Sequence, residues 1–457
     1  MSVVDQPVPD PATSGQPALD PSVPTPPNSA YLRAVEQATG ERIAAADHLT
    51  SAHTGAPGHV RTLVAASVAE LSAELVGLSR DLHAHPEPAY AEHRSARVVA
   101  ELVARAGHQA AVGVGGLDTA LLASAGTGHP HVAVLAEYDA LPGIGHGCGH
   151  NIICAAGVGG FLGAAAAIAH TGGRVSLVGT PAEEGGGGKE RLARAGVFDD
   201  VDAVVMLHPF PYDVATHPFL GRRQVEMVFT GIAAHASAQP FMGRNALDAA
   251  VTAYQGVAAL RQHIPGTDRI HGVFTDGGAR PNVVPDRAAV LFYFRSPDPD
   301  LLRDLSQRVE RIAQGAALLH GVGVELRWDP FPPYLPIRHN HTLARRWAVH
   351  QRDRGRKALG PGVVPESLTG STDLGNLSFR MPAIHPMIAV GQASGALHTV
   401  EFAEAAGSAD GDRAVLDGAH GLAQVAADYL ADPVLREAVH EEFAAAGGPV
   451  DVPNFFS

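Results

Sequence analysis

Apolar positions recur at helical spacing over residues 31–46 and 61–83. The prolines of His83-Ala84-His85-Pro86-Glu87-Pro88 end the second helix, because proline lacks the amide that the helix would need. Another helix is predicted over residues 95–106, followed by strands over 117–122 and 131–136. From there the pattern alternates. Continuously apolar runs at 131–136, 174–180 and 202–207 are separated by helical stretches, as in a sheet covered on both faces. The most apolar helical stretch, 155–169, is shorter than the ~20 residues of a membrane span and reads as a buried helix.

After Gly221 the pattern changes. Strands are predicted over 223–230, 269–275, 286–295 and 322–328, with helices over 245–263 and 300–319. The order β-α-β-β-α-β is the ferredoxin-like unit, complete in itself. Past residue 336 the earlier pattern resumes, with a strand over 383–390 and a helix over 412–430. The expected fold is therefore α/β, a sheet-and-helix catalytic domain with an inserted ferredoxin-like lid or dimerisation domain. The expected boundaries are a disordered Pro-rich tail at 1–30, catalytic domain at 31–220, lid at 221–331, catalytic domain again at 332–435, and a C-terminal tail at 436–457. No internal repeat is visible.

Composition narrows the class. A chain of 457 residues with 46% hydrophobic content can bury two cores. A formal charge of -14 argues against nucleic acid or an anionic membrane as partner. Lys189 and Lys357 are the only lysines, so arginine carries the positive charge. The two cysteines, Cys148 and Cys154, read as reduced thiols of a cytoplasmic protein. The first thirty residues hold eight prolines and no basic residue, unlike a secretory signal.

Chemistry concentrates at three strand ends. The run over 131–139 is followed by Gly145-His146-Gly147-Cys148-Gly149-His150-Asn151, where a thiol and an imidazole two residues apart can face one centre. The second run ends in Pro181-Ala182-Glu183-Glu184 and four glycines, and the third ends in His208. In an open α/β sheet, ligands sit beyond the carboxyl ends of the strands, so Cys148, His150, Glu184 and His208 are candidate metal ligands. His146 shares the loop and reads as an outer group. Of the paired acids, one can bind metal while the other serves as general base. The glycines Gly185 to Gly188 do not lead into a G-K-[ST] ending, which excludes a phosphate loop.

The strings AEYDALPGIGHGCGHN, GTPAEEGGGG, GIAAHAS, GGARPNVVPD and GSTDLGN resemble those of the M20 peptidase family. They are most similar to its amidohydrolase branch of auxin-conjugate and p-aminobenzoyl-glutamate hydrolases, and within that to β-alanyl-lysine-type dipeptidases. The resemblance runs in order through residues 65–430. It implies a catalytic domain of zinc-peptidase type and a pair of divalent metal ions, with zinc the first expectation and manganese or cobalt as alternatives. It assigns Cys148, His150, Glu184, His208 and His398 as ligands and Glu183 as base, with Asp139 orienting a ligand. Strand-end spacing by itself does not single out His398 over His385.

The resemblance also implies a homodimer through the lid, with His235 reaching the partner's site and Asn282 contacting substrate. Arg295 and the Ser371-Thr372 loop are candidates for holding a substrate carboxylate or carbonyl. Asn151, where many members of the branch carry Asp, matches the dipeptidase-like members. The expected activity is metal-dependent hydrolysis of a small dipeptide, releasing an amino acid by attack of an activated water. The alternatives are an N-acyl amino acid amidohydrolase, a non-catalytic partner subunit, and an amide-forming enzyme working in reverse.

Overall fold

The computed structural model describes residues 21–391 and 396–456. Most of the Pro-rich tail expected over 1–30 lies outside the described residues, and positions 21–29 are exposed and without helix or strand. The described residues up to Ala45 form a unit of their own, containing the helix Ala30–Ala45.

The remaining unit holds twelve strands among the described residues. In chain order they are β1 (Ala110–Val112), β2 (Leu121–Gly126), β3 (His131–Ala136), β4 (Arg174–Gly179), β5 (Ala203–Val205) and β6 (His208–Phe210). Then come β7 (Gly221–Thr230), β8 (Arg269–Asp276), β9 (Arg287–Ser296), β10 (Gly323–Trp328), β11 (Ala383–Ile384) and β12 (Met387–Ala389). The central sheet has the order β1-β2-β4-β3-β5-β11. Strands β4, β3, β5 and β11 run parallel, so their carboxyl ends share one edge. A short parallel pair, β6 and β12, extends that edge.

Strand β3 is buried at every residue, as expected of a parallel strand covered on both faces. One cover is the helix His150–Ala166, packed against Ala409–Ala431. Glycines permit the close approach: a Cβ at Gly159 would meet Ala419 and Leu75 side chains at 2.6 Å. The helix predicted over 61–83 is instead two, Gly58–Glu70 and Ser72–Ala84, bent by 52° at Leu71. The bend lets both halves lay Val60, Val64, Leu75 and Leu82 into the same core. Among the described residues no single helix is long and apolar enough to cross a membrane.

Residues 221–328 make the four-stranded antiparallel sheet β10-β7-β9-β8, with helices Ala246–Leu260 and Pro299–His320. This is the ferredoxin-like order. The helices cover Val225, Met227, Phe229, Phe292 and Phe294, leaving the opposite, polar face uncovered by them. The strand predicted over 383–390 is split into β11 and β12, which pair with different neighbours. The stretch expected as a C-terminal tail is folded instead. Helix Pro433–Ala445 buries Leu435 and Val439, and Val452 packs with Leu335 and Phe379.

A buried ion cluster ties Ala409–Ala431 to the rest. The Asp428 carboxylate accepts from Ala56 N, Arg346 Nε and His350 Nε2, each at 2.7 Å. Burial pushes its carboxyl up, but the His350 and Arg346 contacts outweigh that and hold it below the usual range. A depressed folded pKa contributes stability above the unfolded value, and that stability is lost as pH falls through the folded one. Asp428→Asn should therefore flatten the acid limb of a stability-versus-pH curve, read by urea unfolding at graded pH below neutrality.

Candidate metal centre and active site

Four loops bring the donors together. The β3 end supplies Asp139 and then Cys148 and His150, the β4 end supplies Glu183 and Glu184, and the β5–β6 junction supplies His208. His398 arrives after β12, with its amide donating to Gly147 O at 2.9 Å. Its φ of 65° lies in the left-handed region, as does Ala182 at 58°, just before the acid pair. Such strain in residues with a side chain is typical of positions held for function.

Cys148 Sγ lies 3.4 Å from His208 Nε2 and 3.5 Å from His398 Nε2. His398 Nε2 is 3.4 Å from Glu184 Oε1, and His150 Nε2 is 3.9 Å from Glu183 Oε2. Donor atoms of Cys148, His150 and His208 fall within 4.8 Å of one another, as do those of Cys148, Glu184 and His398.

The surrounding hydrogen bonds suit a cation. His150 Nδ1 is 2.8 Å from Asp139 O and 3.1 Å from its Oδ1, while Asp139 Oδ2 accepts from Glu184 N at 2.9 Å. His208 Nδ1 is 2.6 Å from Pro209 O. Each ring is thus held by one nitrogen and offers the other, the usual arrangement around a metal. His150 Nε2 and Glu184 Oε1 are buried with no hydrogen-bond partner. A thiolate, imidazoles and a carboxylate form a donor set for a borderline divalent cation.

Burial acts downward on His150, but the Asp139 charge and hydrogen bond outweigh it and hold the ring well above the usual imidazole range. A bound cation would displace the extra proton. Burial, with the Glu184 charge adding to it, pushes the Cys148 thiol well up, a penalty that a bound cation would reverse. Burial and then His150 push His208 down to about 4, leaving a neutral imidazole. Burial also acts upward on Glu184, but its contact with His398 wins and its pKa falls below the usual value. Glu183 behaves oppositely. Burial, then the Glu137, Glu184 and Asp373 charges, drive it well above the carboxylate range, as suits a proton carrier.

Behind Glu183 lies a feature with no sequence expectation. Oxygens of Glu137, Glu183 and Asp373 lie within 4.8 Å of one another. Lys189, fully buried, bonds Glu137 and Asp373 through Nζ and donates its amide to Asp373 at 2.9 Å. Glu137 Oε2 is also 3.5 Å from His150 Nε2. Glu137 precedes Asp139 by the two-residue strand period, and Lys189 is one of two lysines in the chain; both signals were present but ambiguous. Tyr334 OH donates to Glu183 O at 2.9 Å, steadying the same loop.

The other expected residues divide. His235 and Asn282 are exposed on adjoining lid loops, with His235 Nδ1 accepting from Ser237 N at 3.3 Å and Ala238 N at 3.2 Å. No hydrogen bond or ion pair joins them to the donors among the described residues. Arg295 is half-buried on β9 with Nε unpartnered, and Glu183 is among the charges acting on it. Ser371 Oγ is buried without a partner, and Thr372 Oγ1 accepts from Leu374 N at 3.3 Å. His146 turns away, with Nε2 3.1 Å from Leu82 O. His385 is fully buried behind His208, ring centroids 5.5 Å apart, and stacks on Phe219. Asn151 donates to Ser79 and Ala406, so any effect on specificity is indirect.

The acid-bearing loop has no slack. A Cβ at Gly188 would sit 1.8 Å from Pro181 O. Gly188→Ala should cost about 1–3 kcal/mol in urea unfolding and depress turnover further by displacing Glu183.

Known proteins share this arrangement of domains. Residues 220–319 match the peptidase dimerisation domain of M20 proteins. The chain is 38% identical to the mouse Xaa-Arg dipeptidase over 389 residues, covering 82% of this chain and 90% of that protein. It is 39% identical over 287 residues to a p-aminobenzoyl-glutamate hydrolase component from Escherichia coli, covering 57% of this chain and 58% of that one. Among solved structures, a dinuclear metal-binding M20 peptidase from Bacillus subtilis superposes with a TM-score of 0.63 at 20% identity, covering 79% of this chain and 99% of that one.

Proposed function

The chain belongs to the M20 peptidase family and is a hydrolase, and from that premise we propose that it cleaves the amide bond of a small dipeptide to release an amino acid. The observation that carries the reading is the convergence of Cys148, His150, Glu184, His208 and His398 beside a buried Glu183. In this reading those five residues hold two divalent cations, and the mixed donor set suits zinc first, then manganese or cobalt. Cations held there supply Lewis acidity toward the scissile carbonyl and lower the pKa of water.

The protein's own residues do the rest. Glu183 takes the proton of the attacking water and returns it to the leaving amine, and its raised pKa favours the returning step. Asp139 fixes His150 and the Glu184 backbone together. Arg295 offers its guanidinium fork to the substrate's terminal carboxylate, with Ser371 and Thr372 beside the acyl part. His235, with Asn282, completes the site from a second copy joined through the lid, where it would stabilise charge developing on the carbonyl oxygen. The lid spans about residues 221–331 in this reading, between the catalytic segments that precede and follow it. The two free thiols are in keeping with a cytoplasmic location.

A second reading, N-acyl amino acid hydrolysis, draws on the likeness to p-aminobenzoyl-glutamate hydrolase and needs the same site. The deciding experiment is turnover of β-alanyl dipeptides and N-acyl amino acids by metal-reconstituted protein, with a chelated control. Chelator-sensitive cleavage is expected. Silence across the panel from a metal-loaded dimer would overturn the assignment.

A further inference from the structure

One buried carboxylate, that of Glu92, holds two residues in a left-handed backbone. Tyr90, in the loop before helix His93–Arg105, has a φ of 63°, and Ala182, just ahead of the acid pair, one of 58°. For a bulky side chain such a value is an outlier that the surroundings must enforce. Glu92 Oε1 accepts from Tyr90 N and from Ala182 N, each at 2.9 Å, and its Oε2 accepts from Thr119 Oγ1 at 2.7 Å. Glu92 is fully buried, yet its side chain does not cap the helix it precedes. Glu87 takes that part, accepting from Arg94 N at 3.0 Å and Ser95 N at 2.8 Å. The Glu92 carboxylate is left to serve the neighbouring loop.

Tyr90 ties the far end of that loop. Its hydroxyl donates to Gly186 O at 2.6 Å, and its ring packs so closely that a Cβ at Gly186 would lie 2.7 Å from it. The two ties fall at Ala182 and Gly186, on either side of Glu183, Glu184 and Gly185. The same segment is anchored to the β3 end, where Ala140 N donates to Glu87 O at 2.8 Å. Such ties oppose two disruptive tendencies. The glycines from Gly185 to Gly188 have more backbone freedom to lose than any other residue type. The Glu137, Glu184 and Asp373 carboxylates also press on Glu183 with like charge.

We propose that Glu92 and Tyr90 are positioning residues for hydrolysis, bracketing the acid pair so that the Glu183 carboxylate is held where it meets the attacking water. This rests on the reading of Glu183 as the base. Glu92 acts here through lone pairs, since the geometry uses one acceptor oxygen that receives two amide hydrogens. The side-chain amide of glutamine offers the same oxygen, and its nitrogen can donate to Thr119 Oγ1.

The test uses full-length protein, a substrate that the wild type turns over, and kcat counted per metal-loaded molecule. Tyr90→Phe removes one hydrogen bond and should lower kcat about 3–10-fold with KM unchanged. Glu92→Leu releases both ends of the bracket and should lower kcat about 100-fold, the effect of a misplacement near 1 Å. Glu92→Gln should recover most of that loss. A merely structural pair would lower the urea midpoint and leave kcat of the folded protein in place, and that result overturns the inference. So does a loss carried by KM, or Glu92→Gln as slow as Glu92→Leu. Tyr90→Phe decides alone if Glu92→Leu does not fold. If Glu183→Gln keeps wild-type turnover, the base assignment falls and this inference with it, whereas unaffected bracket variants overturn the inference alone.

Discussion

Glu183→Gln should lower kcat by about 10³–10⁴-fold, the upper range for removing a general acid–base group. The same variant should keep its fold and its metal content, because the amide preserves shape and Glu183 is not needed to complete the donor set of Cys148, Glu184 and His398. Steady-state kinetics beside metal analysis and circular dichroism would separate these effects. The neutral amide also removes one of the carboxylates crowded against Glu137 and Asp373, so stability should be unchanged or slightly raised. A variant that retained more than a tenth of wild-type turnover would show that another group moves the proton.

Lys189→Met should destabilise the protein by about 3–5 kcal/mol, the usual cost of leaving buried charges without their partner. Glu137 and Asp373 would lose the ammonium that bonds both, in a site that water does not reach. The measurement is urea unfolding. Adding Glu137→Gln to Lys189→Met should recover part of the loss, and the four proteins form a double-mutant cycle. The change should reach catalysis as well. Lys189 is the cation opposing the carboxylates that raise Glu183, so its removal should move the acidic limb of the pH–rate profile to higher pH. A merely structural lysine would leave that limb in place.

Much of the site can be read along the chain because its parts are local. Cys148 and His150 share a glycine-rich loop, the acid pair follows β4 closely, and His208 opens β6 just past β5. Strand ends and donor types are properties of short segments, and the parallel sheet places those ends on one edge. His398 is different. Its choice over His385 required the resemblance to a family, and packing supplies the physical reason, since His385 is buried behind His208 while His398 faces Cys148 and Glu184.

Hydrophobic period and strand-end chemistry thus determined the α/β class, the inserted lid and the local donors. The bend at Leu71, the splitting of β11 from β12 and the folded C-terminal segment depended on which partner surfaces were available, which no local pattern encodes. The Glu137–Lys189–Asp373 cluster joins residues 52 and 184 positions apart, and the ties from Glu92 and Tyr90 reach 90 and 96 positions along the chain. Charge effects depend on distance through space and on exclusion of water. Both are set when distant segments pack, and so tertiary structure decides them.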